Sequence, residues 1–140
     1  MSTTPLNKPR ILVVDDDPVN ARIAGRIARF GGFEVLETQN PAEAAALAHS
    51  WKPDLVIADV VMPGIDGSEL CILLKGDPGT REIPVLLVSG EAGPDFDALG
   101  QFCGGADYLQ KPYTPVKLLR TMNRLLGRVV VAAQSPERMP

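Results

Sequence analysis

Several things are scarce in this chain, and each scarcity removes a class of function. No apolar run approaches the roughly 20 residues that cross a bilayer, so no segment is a candidate for a spanning helix. Cysteine occurs only at Cys71 and Cys103, in no metal-ligand spacing, which rules out a disulfide framework and a structural zinc site. The pair reads as free thiols of a reducing compartment, with a disulfide between them as the lesser alternative. Basic charge is not in excess: 14 Lys and Arg face 17 Asp and Glu, a net charge of −3. A mildly acidic domain is repelled by phosphate backbones, so no direct nucleic-acid partner is expected. Residues 1–9 are polar and proline-bearing, unlike a signal peptide. The expectation is a cytoplasmic protein with no membrane partner. Internal repeats and low-complexity tracts are also missing.

What is present is a steady alternation. The 140 residues, 45% of them hydrophobic, suffice for one domain with a proper core. Short apolar runs are predicted as strands over 10–14, 33–38, 54–58, 85–88 and 106–109. Between them lie helix signals. Asp17 is a plausible N-cap with Pro18 at the first helical position, and Gly31-Gly32 stops that helix. Within it Val19, Ile23 and Ile27 recur every four residues and are expected to face inward, with Arg22, Arg26 and Arg29 as the solvated side. Asn40-Pro41-Ala42-Glu43 opens an alanine-rich helix as a capping box. Further helices are predicted around 68–75, weakly over 95–102, and over 115–126, the last with Val116, Leu119 and Leu126 inward.

Five strands alternating with five helices give an α/β class. Continuous rather than alternating apolar strands imply burial on both faces of a parallel sheet, and right-handed crossovers then place helices on both sides. The expected fold is a doubly wound, five-stranded parallel sheet. The expected organisation is a flexible segment over 1–9, one domain over 10–127, and a tail or linker over 128–140.

In such sheets ligands gather outside the carboxyl ends of the strands. The first strand ends in Asp15-Asp16, the third in Asp59 and the fourth in Ser89, while Lys111 follows the fifth. Four strand ends thus deliver polar groups to one edge. Two carboxylates about 4 Å apart repel by roughly 4 kcal/mol at an effective dielectric near 20, so three of them need a proton or a cation. With hard oxygen ligands and no histidine nearby, the fitting ion is Mg²⁺, with Mn²⁺ as a substitute. An in-line nucleophile, a metal and a fixed positive charge are most of what phosphoryl transfer requires. Asp59 can be the nucleophile, Lys111 the fixed charge and Ser89 a hydroxyl that binds the arriving group.

These residues carry a resemblance. VVDDD at 13–17, DVVMPGIDG at 59–67, VSG at 88–90 and DYLQKPY at 107–113 resemble, in order and spacing, the signatures of response-regulator receiver domains. The likeness covers roughly residues 10–127 and implies a flavodoxin-like fold. It implies that Asp59 is the phosphoacceptor and that Asp15, Asp16, Asp59 and the main-chain carbonyl of Val61 hold Mg²⁺. It further implies that Ser89 and Tyr108 are the switch pair, and that Lys111, in a Lys-Pro pair joined by a cis bond, meets Asp59. The implied partners are a sensor histidine kinase or phosphotransfer protein. A second copy is a further partner, through a face built from the fourth predicted helix, the fifth strand and the last helix. The implied activity is acceptance and loss of the chain's own phosphoryl group, not enzymatic turnover.

Two positions depart from the family pattern: Val61 is apolar where many receivers carry a polar side chain, and Gln110 stands where threonine is common. Val61 also bears on the alternative of a hydrolase of the haloacid-dehalogenase type, which would want an acid there. A phosphorylation-independent interaction domain is the third reading, and the intact acidic pair, acceptor, hydroxyl and lysine weigh against it. Taken singly, the site residues have plainer explanations: an aspartate pair as a helix cap, Ser89 as a cap, Lys111 as a solvated charge, Tyr108 as a half-buried strand aromatic. His49 reads as a partnerless surface residue, Trp51 as packing at the end of its helix, and Asp66 as a turn residue.

Overall fold

Strands Arg10–Val14 (β1), Glu34–Thr38 (β2), Leu55–Asp59 (β3), Val85–Ser89 (β4) and Asp107–Gln110 (β5) form one parallel sheet in the order β2-β1-β3-β4-β5. Between and after them run helices Pro18–Phe30 (α1), Pro41–Trp51 (α2), Gly67–Gly76 (α3) and Pro115–Leu125 (α4). This computed structural model describes residues 8–60, 62, 64, 67–90 and 107–127. The helix expected over 95–102 and the tail from 128 lie outside the described residues, as do Val61, Asp66 and Cys103. Each observed strand falls within one residue of its expected limits.

Helix starts are written by one local device used three times. Asp17, Asn40 and Thr114 each precede a proline, and their side-chain oxygens accept the backbone N–H of Val19, Ala42 and Lys117 at 2.9, 2.9 and 3.0 Å. Each cap contributes about 1 kcal/mol, and the proline N–H is one that no helix could have paired. At the far end of α1, Gly32 takes φ +93°, a left-handed conformation that glycine accepts without strain.

The central strands β1, β3 and β4 are buried on both faces, as their continuous apolar runs require, while the edge strands β2 and β5 are only partly covered. Ile11, Val13, Leu55, Ile57, Leu86 and Val88 join the core under α1 and α4. Leu12, Val14, Val56, Ala58, Val85 and Leu87 join the core under α2 and α3. Leu12 and Leu86 are wholly buried, and each such side chain stabilises the fold by about 1.5–3 kcal/mol.

The structure corrects two helix faces. In α1 the buried residues are Ala21, Ala24, Gly25 and Ala28, whereas Val19 is 64% exposed and Ile23 48%. Small side chains let the helix axis approach the sheet closely, and the larger β-branched stripe is left outward, with Ile27 at its margin. In α4 the buried residues are Leu118, Thr121 and Met122; Leu119 and Leu126 are half-buried as expected, but Val116 is exposed.

The amino-terminal edge of the sheet is closed by paired charges. The Arg10 N–H donates to the Asp54 carboxylate at 2.7 Å and the Asp54 N–H returns a bond to the Arg10 carbonyl at 2.7 Å. The Arg10 guanidinium donates to the Trp51 carbonyl at 2.7 Å, stands 5.3 Å from the centre of the Trp51 ring, and lies 3.5 Å from Glu34.

Candidate functional site

Strand order reverses at β1: the chain goes outward to β2 and then crosses back to β3. The crevice between the carboxyl ends of β1 and β3 is therefore the place where the fold collects ligands. Asp15 follows β1 directly, and its N–H is held by the Thr38 carbonyl at 3.1 Å. Asp59 is the last residue of β3 and pairs in register with Val88. One step further on β4 comes Ser89, buried at 2% exposure. Its carbonyl accepts the Lys111 N–H at 2.7 Å. Parallel pairing alone thus brings residues 15, 59, 89 and 111 to one edge.

Their side chains converge as well. One oxygen from each of Asp15, Asp16 and Asp59 lies within 4.8 Å of the others. The Lys111 ammonium stands between two of these carboxylates, 3.4 Å from Asp15 Oδ2 and 3.5 Å from Asp59 Oδ2. The other Asp15 oxygen accepts the Asp17 N–H at 3.0 Å. Asp15 is nearly buried, and this burial pushes its carboxyl up from the usual carboxylate range, with the Asp59 charge pushing the same way. The Asp17 N–H and Lys111 oppose that rise. Among the described residues, three acids thus gather around one ammonium, an under-neutralised cluster. All of its donors are hard oxygens and the geometry is compact, which suits a Mg²⁺-sized ion.

The backbone around the cluster is shaped to fit. Lys111-Pro112 is cis, as the family resemblance implies. The Gly67 N–H donates to the Val60 carbonyl at 3.1 Å, and a Cβ on Gly67 would stand 2.4 Å from the Asp59 carbonyl oxygen. Only glycine permits α3 to start this close to the end of β3. Tyr108 is half-buried on the α2/α3 side of the sheet, opposite Leu87 in register. Because strand side chains alternate, Ser89 and Tyr108 belong to the same sheet face.

Sequence reasoning missed several contacts. Tyr113, half-buried against the α1/α4 core, has its phenol held above the usual range by burial and then by the Asp15 charge. Arg124 reaches back to Asp107 at 2.6 Å, tying α4 to β5. His49 is a surface residue but not a partnerless one: its Nδ1 lies 3.0 Å from Asp77 Oδ2. Trp51 packs at the end of α2, as expected.

A doubly wound parallel sheet with this acid cluster, lysine and buried hydroxyl at its carboxyl edge defines a phosphoryl-accepting signalling module. The chain belongs to the response regulator receiver domain family, whose model matches residues 11–123. It is 37% identical over 118 residues to protein PilH of Pseudomonas aeruginosa, covering 84% of this chain and 98% of that one. It is 35% identical over 119 residues to the phosphate regulon transcriptional regulatory protein PhoB of the same organism, covering 84% of this chain but only 52% of that protein. Among solved structures, chemotaxis protein CheY4 of Vibrio cholerae superposes with a TM-score of 0.80 at 28% identity, over 84% of this chain and 98% of that one. A second is the receiver domain of a sensor histidine kinase of Pseudomonas aeruginosa, with a magnesium ion coordinated in its active-site cleft. It superposes with a TM-score of 0.78 at 25% identity, over 86% of this chain and 98% of that one.

The chain is thus a receiver domain of two-component signalling, and the hydrolase alternative finds no support in these likenesses. Receiver domains bind magnesium in an acid pocket, and a cluster of three aspartates is present in this chain. Membership also implies dealings with a histidine kinase or phosphotransfer partner. Among the described residues no helix is long and apolar enough to cross a membrane.

Proposed function

We propose that Asp59 is the phosphoacceptor and that Lys111 and Ser89 are its working partners. The observation that carries this reading is the Lys111 ammonium, 3.4 and 3.5 Å from carboxylates that end two neighbouring strands. An Asp59 oxygen attacks phosphorus in line with the donor's imidazole nitrogen. The new P–O bond forms as the P–N bond breaks, and the electron pair stays on the imidazole. Lys111 supplies fixed positive charge to the incoming oxygens, a role worth several kcal/mol when preorganised. Asp15, Asp16, Asp59 and the main-chain carbonyl of Val61 would hold Mg²⁺, or Mn²⁺ in its place, which neutralises charge on the transferring group.

Once Asp59 carries the phosphoryl group as an acyl phosphate, the Ser89 hydroxyl binds a phosphoryl oxygen, and Tyr108 turns into the space released on that sheet face. The altered surface, which takes in β5 and α4, is then read by a partner or a second copy. Multiple turnover of phosphomonoesters is not expected, because no acid stands at Val61. The receiver unit runs over 10–127, with 1–9 and 128–140 as flanking segments, and acts in the cytoplasm.

Acetyl phosphate with Mg²⁺ tests the acceptor. Intact mass should show one phosphoryl adduct on the wild type and none on Asp59→Asn or in chelator. An adduct of equal yield on Asp59→Asn overturns the assignment.

A further inference from the structure

An open sheet has two edge strands, and each offers its outward N–H and C=O groups to any further strand. β2 is one of these edges. The Glu34 N–H donates to the Pro9 carbonyl at 2.9 Å, and the Thr38 carbonyl accepts the Asp15 N–H at 3.1 Å. Backbone direction alternates along a strand, so Glu34, Leu36 and Thr38 bond to β1 while the backbone groups of Val35 and Glu37 face outward.

The sequence of β2, EVLET, suits pairing with a second β2. In an antiparallel pair about a two-fold axis at Leu36, Val35 meets the partner's Glu37 and exchanges both hydrogen bonds with it. Glu34 then meets the partner's Thr38. Acids never stand directly opposite acids in this register, so like-charge repulsion does not forbid it.

Two features obstruct that addition. Arg29, in the last turn of α1, donates through Nη1 to Glu37 Oε2 at 3.0 Å and through Nη2 to the Val35 carbonyl at 3.5 Å. That carbonyl is an acceptor the added strand would need. The Glu37 side chain, moreover, is only 17% exposed, deep for an acid on an edge strand. It sits against Gly25 of α1, where a Cβ would stand 2.9 Å from Glu37 Cδ. Inward-pointing charge is one of the devices by which edges resist addition. The opposite edge has a comparable stop. On β5 the Lys111 N–H is bonded to Ser89, so the Tyr108 N–H faces outward, and the Asp107 carboxylate accepts it at 2.8 Å.

We infer that Arg29, anchored by Glu37, bars a second copy of this chain from adding its β2 to the open edge. A dimer joined there would lie across the sheet from β5, where movement of Ser89 and Tyr108 could neither make nor break it. Barring it leaves self-association to surfaces that phosphorylation alters. This consequence rests on the switch reading of Ser89 and Tyr108; the bar itself does not.

The test uses the full chain carrying Leu36→Cys, with no phosphodonor. Two-fold pairing sets the introduced thiols opposite each other in a non-hydrogen-bonded pair, with Cα atoms about 4.5 Å apart and within disulfide reach. Under mild oxidation the disulfide joining position 36 of two copies, read by peptide mass, should be scarce while Arg29 is present. Arg29→Ala should raise its yield about tenfold or more, on the scale of one charged hydrogen bond. Glu37→Gln, which unseats the guanidinium without removing it, should raise the yield as well. Adding Val35→Pro to Arg29→Ala should abolish the gain, because proline removes an outward N–H that β1 does not use.

A yield that is the same with and without Arg29, or a gain that survives Val35→Pro, overturns the inference. Unfolding in Arg29→Ala cannot imitate the expected pattern, since an unfolded chain would cross-link whether or not residue 35 is proline. Labelling by acetyl phosphate should be unchanged by Arg29→Ala, so a failure of the acceptor reading shows in a separate measurement.

Discussion

The two ends of the sheet treat charge in opposite ways. At the amino end Arg10 is satisfied by Asp54, Glu34, the Trp51 carbonyl and the Trp51 ring, each ionic or polar group meeting a complement. At the carboxyl end Asp15, Asp16 and Asp59 converge with Lys111 as the ammonium between them. The same parallel strands position both sets, so the difference lies in the residues chosen for the strand ends. A paired end fastens the fold. An under-neutralised end costs stability and leaves the site ready for a cation and a phosphoryl group.

Substitutions at the two ends should therefore diverge. Lys111→Met, at the carboxyl end, removes the fixed charge and should slow labelling by acetyl phosphate roughly a hundredfold, on the scale of a lost preorganised donor. A loss below threefold would mean that the ammonium is merely structural. Next in size is Val61→Asn, which gives a polar side chain the chance to orient water in line with the phosphorus. Decay of the phosphoprotein after donor removal should quicken by about tenfold, or 1.4 kcal/mol of barrier; unchanged decay would mean that the side chain at this position does not govern water access.

The third prediction concerns pH. The folded-state pKa of Asp15 is raised, chiefly by burial. Without metal, its contribution to stability is therefore largest in acid and falls as pH climbs from the unfolded value of 3.8 through the raised one. Asp15→Asn should stabilise the metal-free protein at neutral pH, with the gain shrinking toward pH 4. A gain independent of pH, followed by chemical denaturation, would remove charge from the explanation. The smallest effect belongs to the other end: Arg10→Ala should cost about 1 kcal/mol and leave the labelling rate untouched. Slower labelling in that variant would show that the two ends are coupled.

Much of this was legible from residues alone, for a physical reason. Strands buried on both faces must be continuously apolar, so RILVV, LVIA and VLLV declare themselves, and the polar residue that ends each run is also the one delivered to the site. The orientation of α1 was not legible. Val19 and Ile23 keep perfect helical spacing, yet close approach to the sheet favours the alanine stripe, and periodicity cannot weigh side-chain size against axis distance. Pairings across long separations were hidden too. His49 meets Asp77 at a separation of 28 residues, and Arg124 meets Asp107 only because α4 runs back along β5. Gly67 could be read as a loop residue, but its need to clear the Asp59 carbonyl appears only in three dimensions.

The account turns on a carboxyl edge built with fewer positive charges than its carboxylates require, and thermal unfolding of wild type and Asp59→Asn, each with Mg²⁺ and with chelator, tests that directly. Mg²⁺ should raise the wild-type midpoint by several degrees, since a ligand bound only to the folded state stabilises it. In chelator, Asp59→Asn should be the more stable protein, because one of the crowded charges is gone. A wild type indifferent to Mg²⁺, or an Asp59→Asn variant less stable than wild type in chelator, would contradict the account.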